Sequence, residues 1–308
     1  MLSYVLRRLA GLIPTLITIV TVSFLILRLA PGGPFDQEQT LPPAVRANLE
    51  RVYGLDRPLP AQYLAYLGAL AHGDFGMSLR ERDFSVNELV RQGLPVSLTL
   101  GLVALLLALS AGIAAGMAAA LAPGSLTDTL LGASGTLALA LPGFVTGPLL
   151  VLVFALTLHW LPAGGFSFPP GRTLVLPAIT LALPLAAALA RITRAGLLEV
   201  LRQPFIRSAR ARGLTPLRIL WRHALPPALV PVVSYLGPAA AFVVTGSLVV
   251  ESVFGLPGTG RYLVHGALDR DYPLVMAMIV IYAVLTLGCN FLADVLHGWL
   301  DPRVRHHG

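Results

Sequence analysis

The sequence predicts an all-α polytopic membrane protein with six transmembrane helices, and three observations carry that prediction. The 308 residues are 56% hydrophobic and only 12% charged, about half the charged share of a soluble globular domain. Six stretches lack any Asp, Glu, Lys or Arg: 9–27, 96–121, 129–158, 173–190, 227–250 and 273–293. Each comes close to or exceeds the roughly 20 helical residues that cross a bilayer core. The remaining charge is distributed unevenly. With both termini cytoplasmic, the inner segments hold 12 of the 22 arginines against 4 acids, and the outer segments 10 against 11. That asymmetry follows the positive-inside rule, and it explains the net charge of +7 without a nucleic-acid partner.

The first apolar run follows Arg7 and Arg8, as a secretory leader would. It is longer than a leader's apolar core and ends in Arg28-Leu29-Ala30-Pro31-Gly32, so it reads as a retained span. Residues 31–95 form the one sizeable outer region, with Pro-rich turns and two short helices expected near 44–53 and 60–71. In the second of these, Tyr63, Leu64, Leu67 and Leu70 recur at helical spacing and read as packing. Gly112 and Gly116 in the second span form a small-xxx-small pattern; close packing within the subunit is favoured over dimerisation. Pro142 and Pro148 predict a kink or early stop in the third span. The fourth is the shortest and is expected to run on past Arg191. Cys289, in the last span, is the single cysteine, so no intrachain disulfide forms.

The segment 202–223 gathers six arginines. Pro204 at a first helical position and Gly213 just past an end mark a short helix, whose apolar side is expected to carry Leu201, Phe205 and Ala209. Thr215 and Pro216 open a second helix with Leu217, Leu220, Trp221 and Ala224 as its stripe, ended by Pro226–Pro227. An interfacial helix on anionic lipid, a purely topogenic cluster and a docking element all fit the charge. The Pro–Gly–Thr–Pro punctuation favours docking.

The chain has no lysine, so it cannot form a phosphate-binding P-loop. The run from Gly255 through Leu256, Pro257, Gly258 and Thr259 to Gly260 therefore reads as a turn into the last span. Gly132-Ala133-Ser134-Gly135 matches the short motif of intramembrane serine proteases, with His297 as the base; chance accounts for four such common residues in a small-residue helix. Asp294 would serve a stand-alone ion-coupled transporter, although an end-of-helix acid paired with Arg is the simpler reading. No HExxH motif occurs, and His306–His307 is too little for a metal site.

Ala209, Gly213 and, nine residues on, His223-Ala224-Leu225-Pro226 resemble the EAA loop of permease subunits of bacterial ATP-binding-cassette importers. Arg207-Ser208-Ala209 stands where Glu-Ala-Ala would. The opening MLSYVLRRLAGLIPTLITIVTVSFLILRLAPGGP, the stretch AHGDFGMSLRERDFSVNELV and the stretch GSLVVESVFGLPGTGRYLVHGALDRDYPLV are similar to the B-type subunits of oligopeptide permeases, in the peptide and nickel branch. Dipeptide permeases share much of this framework. The resemblance implies a type I permease fold in the bacterial inner membrane, with residues 1–94 as a first span plus periplasmic loop and residues 95–308 as a five-helix core. It implies an ATPase-coupling loop at 199–226 that uses Phe205, Arg207, Ser208, Ala209, Arg210, Gly213, Leu217, Leu220, Trp221, His223, Leu225 and Pro226. Glu251, Gly255, Pro257, Gly258 and Gly260 would form a periplasmic gate or a contact for the binding protein. The implied function is non-catalytic: the membrane subunit of an oligopeptide importer, with dipeptides or nickel as alternative cargo. The implied partners are a homologous C-type permease, two cytoplasmic ATPases that bind ATP and magnesium, an extracytoplasmic peptide-binding protein, the peptide and membrane lipid. No cofactor is expected on this chain.

Overall fold

The structure, a computed structural model, describes residues 2–30, 54–81, 83–167 and 171–300, with residues 44, 48 and 51. The helix expected near 44–53 lies largely outside the described residues. The chain folds into α1 (Leu2–Leu29), α2 (Leu59–Ala71), α3 (Val86–Leu121), α4 (Leu126–Ala140), α5 (Gly143–Leu150, continued by a π turn at Val151–Thr157), α6 (Val175–Leu201), α7 (Pro204–Ala211), α8 (Pro216–Ile219), α9 (Leu225–Ala228), α10 (Val230–Phe254), α11 (Thr259–Leu268) and α12 (Tyr272–Leu300). Among the described residues no strand occurs. Among the described residues five helices are long and apolar enough to span a bilayer, and α4 with the helix from Gly143 to Thr157 forms a pair bent by 110° that counts as a sixth span where its two arms cross together.

The break has a local cause. Leu141 precedes Pro142 and is extended at φ −85° and ψ 118°, as the proline ring requires of its neighbour. Pro142 then takes the cap position of α5, and its carbonyl accepts Thr146 Oγ1 at 2.9 Å. The expected kink is therefore a full change of direction. The fourth span does run on, with Arg191, Arg194 and Glu199 all inside α6. Helix α3 passes through residues 94 and 95 unbroken, with Pro95 inside it.

The centre of the bundle is α3 laid against α6, with α10 closing over both. Leu100, Ala104, Ala108, Leu181, Leu185, Leu189, Ala239 and Val243 share one core. The backbones of α3 and α6 touch where side chains vanish. A Cβ on Gly112 would stand 2.7 Å from the carbonyl of Ala186, and one on Gly116 would stand 2.5 Å from that of Ala190. The small-xxx-small pair thus serves packing within the subunit, where dispersion between closely spaced backbones replaces the hydrophobic effect that lipid cannot supply. Outward, Ile13, Ile17, Leu102, Leu106, Leu130 and Leu137 are exposed, as lipid-facing residues are.

Helix α1 packs on α12 and α2. Val20, Phe24, Met276 and Val280 form that core, with Tyr63, Leu67 and Leu70 of α2 against it; Tyr63 also bonds Thr21 Oγ1 at 2.5 Å. Leu64, expected in the same stripe, is exposed instead.

Replacing Gly116 with Val inserts branched carbon where Ala190 carbonyl and Thr193 stand. It is expected to destabilise the bundle by about 1–3 kcal/mol or more, whereas Gly132→Ala, which meets no atom within 4 Å, is neutral. Thermal unfolding in detergent distinguishes the two.

Candidate functional site: two ends of one bundle

The arginine-bearing end is built on the extension of α6. Gln203 is extended, and Pro204, which has no N–H to lose, starts α7. Helix α7 closes on Gly213 at φ +75°. There the N–H of Leu214 donates to Ala209 carbonyl at 3.3 Å and that of Gly213 to Arg210 carbonyl at 2.9 Å, the two bonds of a Schellman cap that a left-handed glycine permits. Ile206 and Ala209 are buried with Leu197, Ala120, Ile219, Ala224 and Ala228. The buried side of α7 is therefore Ile206 with Ala209, and Phe205, expected there, is 46% exposed. The i, i+4 pairing of Phe205 with Ala209 is off by one position: Arg207 and Arg210, three residues apart, mark the outer side of α7, and Ile206, three before Ala209, takes the inner one.

The second stripe divides in the same way. Ala224 is buried and Leu220 half-buried, while Leu217 and Trp221 are 66% and 55% exposed. Thr215 takes the predicted cap position with Pro216 at N1, without a side-chain cap bond. Pro226–Pro227 does not end the helix. It opens α9, and the turn before it widens to a π turn at Leu220–Ala224. Two consecutive prolines supply no N–H to the preceding turn and their rings crowd its carbonyls, so the backbone there opens to longer bonds. His223 is half-buried with Nδ1 3.4 Å from Arg218 carbonyl, Leu225 is buried, and Pro226 is exposed.

No acid lies between Glu199 and Glu251, so the segment cannot neutralise its own charge. Phe205, Leu217 and Trp221 thus stand exposed beside Arg207, Arg210 and Arg218, with Ser208 also outward. Two ion pairs brace this end. Arg194 grips Asp128 in a bidentate pair, with Nε–Oδ1 and Nη2–Oδ2 both 2.7 Å, and Arg8 meets Asp294 at 3.0 Å. Asp294 is therefore tied to the first turns of α1, the Arg-paired end-of-helix acid that the sequence favoured. Ser134 is exposed and bonds the carbonyl of Leu131 in its own helix; the side chain of His297 lies outside the described ones.

At the opposite end, the glycine-rich run does not lead straight into the last span. It turns at Gly255, φ +64°, and enters the separate helix α11. Glu251 is fully buried, and its Oε2 accepts the N–H of Gly260 at 2.8 Å. A Cβ on Gly258 would fall on that carboxylate and 2.7 Å from Ser97 Oγ; one on Gly260 would fall on the backbone of Leu248. Ser97 Oγ accepts the N–H of Thr259 at 2.9 Å and pairs with Thr259 Oγ1 at 2.8 Å, which lies 3.2 Å from Tyr282 Oη. Glu251 with Gly260 therefore welds α11 to α10 from inside, Thr259 with Ser97 and Tyr282 ties it to α3 and α12, Gly258 is buried among them, and only Gly255 and Pro257 of the predicted set face outward.

Sequence reasoning missed the partner of this weld. Asp271 is buried and accepts Ser78 Oγ, together with the N–H groups of Leu79 at 3.1 Å and Leu274 at 3.2 Å. It thereby ties the outer loop to the start of α12. Its position just before Tyr-Pro and a long apolar run was a cap signal. Asp128, three residues after Ser125, was another: Ser125 Oγ accepts its N–H.

The family described as binding-protein-dependent transport system inner membrane component matches residues 112–306, and the N-terminal membrane component of such systems matches residues 1–101. The chain is 48% identical over 307 residues to the oligopeptide transport system permease protein OppB of Escherichia coli K12, covering 99% of this chain and 100% of that one. It is 38% identical to the dipeptide transport system permease protein DppB of Bacillus subtilis, covering 100% and 99%. In fold it resembles the inward-facing MetNI methionine ABC transporter, with a TM-score of 0.57 at 18% identity over 69% of this chain and 96% of that one.

Gly260→Ala is expected to disrupt the weld and lower the unfolding temperature markedly. Glu251→Gln, which keeps an acceptor for the N–H of Gly260, should lower it by less, and equal losses in thermal unfolding would mean the carboxyl does not organise this end.

Proposed function

The chain belongs to the family of inner-membrane components of binding-protein-dependent transport systems, and from that membership we propose that it is the membrane subunit of an ATP-driven oligopeptide importer. The observation that carries this reading is the full-length 48% identity to an oligopeptide permease, above the 38% to a dipeptide permease. The chain has no lysine, so no P-loop of its own, and the reading places ATP and magnesium on two partner ATPases. A C-type permease completes the pathway, and a binding protein delivers peptide to the end built on α11.

In this reading α7 and α8 couple the subunit to its ATPase. The exposed Phe205, Leu217 and Trp221 supply apolar surface, and the uncompensated arginines supply complementarity to an acidic groove. The buried Ile206 and Ala209 fix α7 to the end of α6, so a push on α7 moves α6, and α3 with it through the contacts of Gly112 and Gly116. ATP binding then biases a packing with two stable arrangements, inward- and outward-facing. The weld at Glu251 lets α11 follow as part of the same body.

Gly213→Val places a β-branched residue at φ +75°, at a cost of about 1–3 kcal/mol, and misdirects α8. In proteoliposomes of the assembled transporter, peptide uptake should fall at least tenfold while the chain still inserts and ATP hydrolysis persists. Unchanged uptake would sink the coupling role. Purifying the chain in mild detergent should bring down a second permease and ATPases; transport by the chain alone, without ATP, would overturn the importer reading.

A further inference from the structure

A crevice of about 430 Å³ opens between α3, α4 and α6, beside the Asp128–Arg194 pair. Its walls are Ala115, Gly116 and Ala119 of α3, Gly132 and Gly135 of α4, and Ala187 and Ala190 of α6, so three helices contribute mainly hydrogen or methyl groups. It is pinched at one end by the bidentate pair and narrows at the other, where a Cβ on Gly135 would come within 3.7 Å of Ala187; between them Gly132 faces open space. Three charged residues line it: Asp128, Arg194 and Arg191. Asp128 is committed to Arg194, while Arg191 is exposed and has no ion pair among the described residues. The crevice therefore carries one positive charge in excess.

Its depth in the bilayer follows from α6. The charge-free stretch 173–190 is roughly 27 Å long in a helix, close to the hydrocarbon thickness of about 30 Å, so Arg191 stands where hydrocarbon gives way to headgroups. From there the crevice runs toward the middle of the membrane past Gly132 and Thr136. Leu126, Leu130 and Leu137 are exposed on another side of α4, an apolar face suited to lipid tails.

We propose that this crevice is a binding site for an anionic phospholipid, its phosphate on Arg191 and the outer edge of Arg194 and one acyl chain along the glycine and alanine walls. A gap of this size beside lipid must be filled, and a positive rim over an apolar slot matches a molecule with a phosphate head and a hydrocarbon tail. A bound chain would set the separation of α4 from α6 and bear on the salt bridge next to the coupling segment.

The test uses the full chain, purified with whatever partners accompany it, in detergent micelles doped with phosphatidylglycerol or phosphatidylcholine. Native mass spectrometry counts retained lipid, and thermal unfolding reads its effect. Phosphatidylglycerol should bind at one saturable site and raise the unfolding temperature more than phosphatidylcholine does. Arg191→Gln should weaken that binding about fivefold, the effect of one interfacial arginine, while Arg191→Lys retains it. Gly132→Leu, whose Cβ meets no atom within 4 Å, fills the slot and should reduce retention with Arg191 intact, which attraction to the arginines alone would not produce. Equal retention of the two lipids, or undiminished preference in both Arg191→Gln and Gly132→Leu, overturns the proposal. So does displacement of the lipid by a short peptide, which would make the crevice part of the substrate path. These readouts do not depend on transport, so they stand apart from any failure of the importer reading.

Discussion

The close approach of α3 to α6 governs this molecule. Lipid offers helices no hydrophobic reason to associate, so they must meet through short-range contact between backbones, and Gly112 and Gly116 are where α3 allows it. Each helix carries a distinct end from that contact. Helix α6 runs out to the arginine-rich segment and holds it through Leu197 against Ile206 and Ala209. Helix α3 reaches the other end, where Ser97 meets Thr259. A displacement at either end is thus delivered to the same rigid pair.

The two ends solve the same problem in opposite ways. Around Glu251 and Asp271, polar groups are buried and turned inward; Gly258 and Gly260 leave their side-chain space to the Glu251 carboxylate and the Leu248 backbone, and Gly255 supplies the left-handed turn. This makes α11 a fixed crossbar. Around α7 and α8 the fold leaves charge and aromatic surface unpaired, with no acid for fifty residues in either the helices or the turns. Such a surface needs a complementary partner, and the proposed coupling to an ATPase meets that need.

Much of this was legible in the residues. The positions of the spans follow from where charge is excluded, because a charge in hydrocarbon is costly. Gly213 was legible because only the left-handed conformation closes a helix with its two final bonds. The facing of α7 was not, since Phe205 and Ile206 are equally apolar and only the docking of α7 on Leu197 selects between them. Nor was the π turn before Pro226, which depends on α9 continuing into α10 instead of stopping.

The sequence by itself determined the rough limits of the apolar stretches, the interruption of the third by proline, the lack of a nucleotide-binding loop and the family, because these depend on composition, proline chemistry and motif order along the chain. Tertiary structure alone decided that Glu251 welds a crossbar from within, that Asp128 and Arg194 lock two helices across 66 residues of chain, and that Arg191 borders a crevice walled by three helices. Each of these is a relation between groups distant in sequence, and distance through space is set only once α3 and α6 have packed.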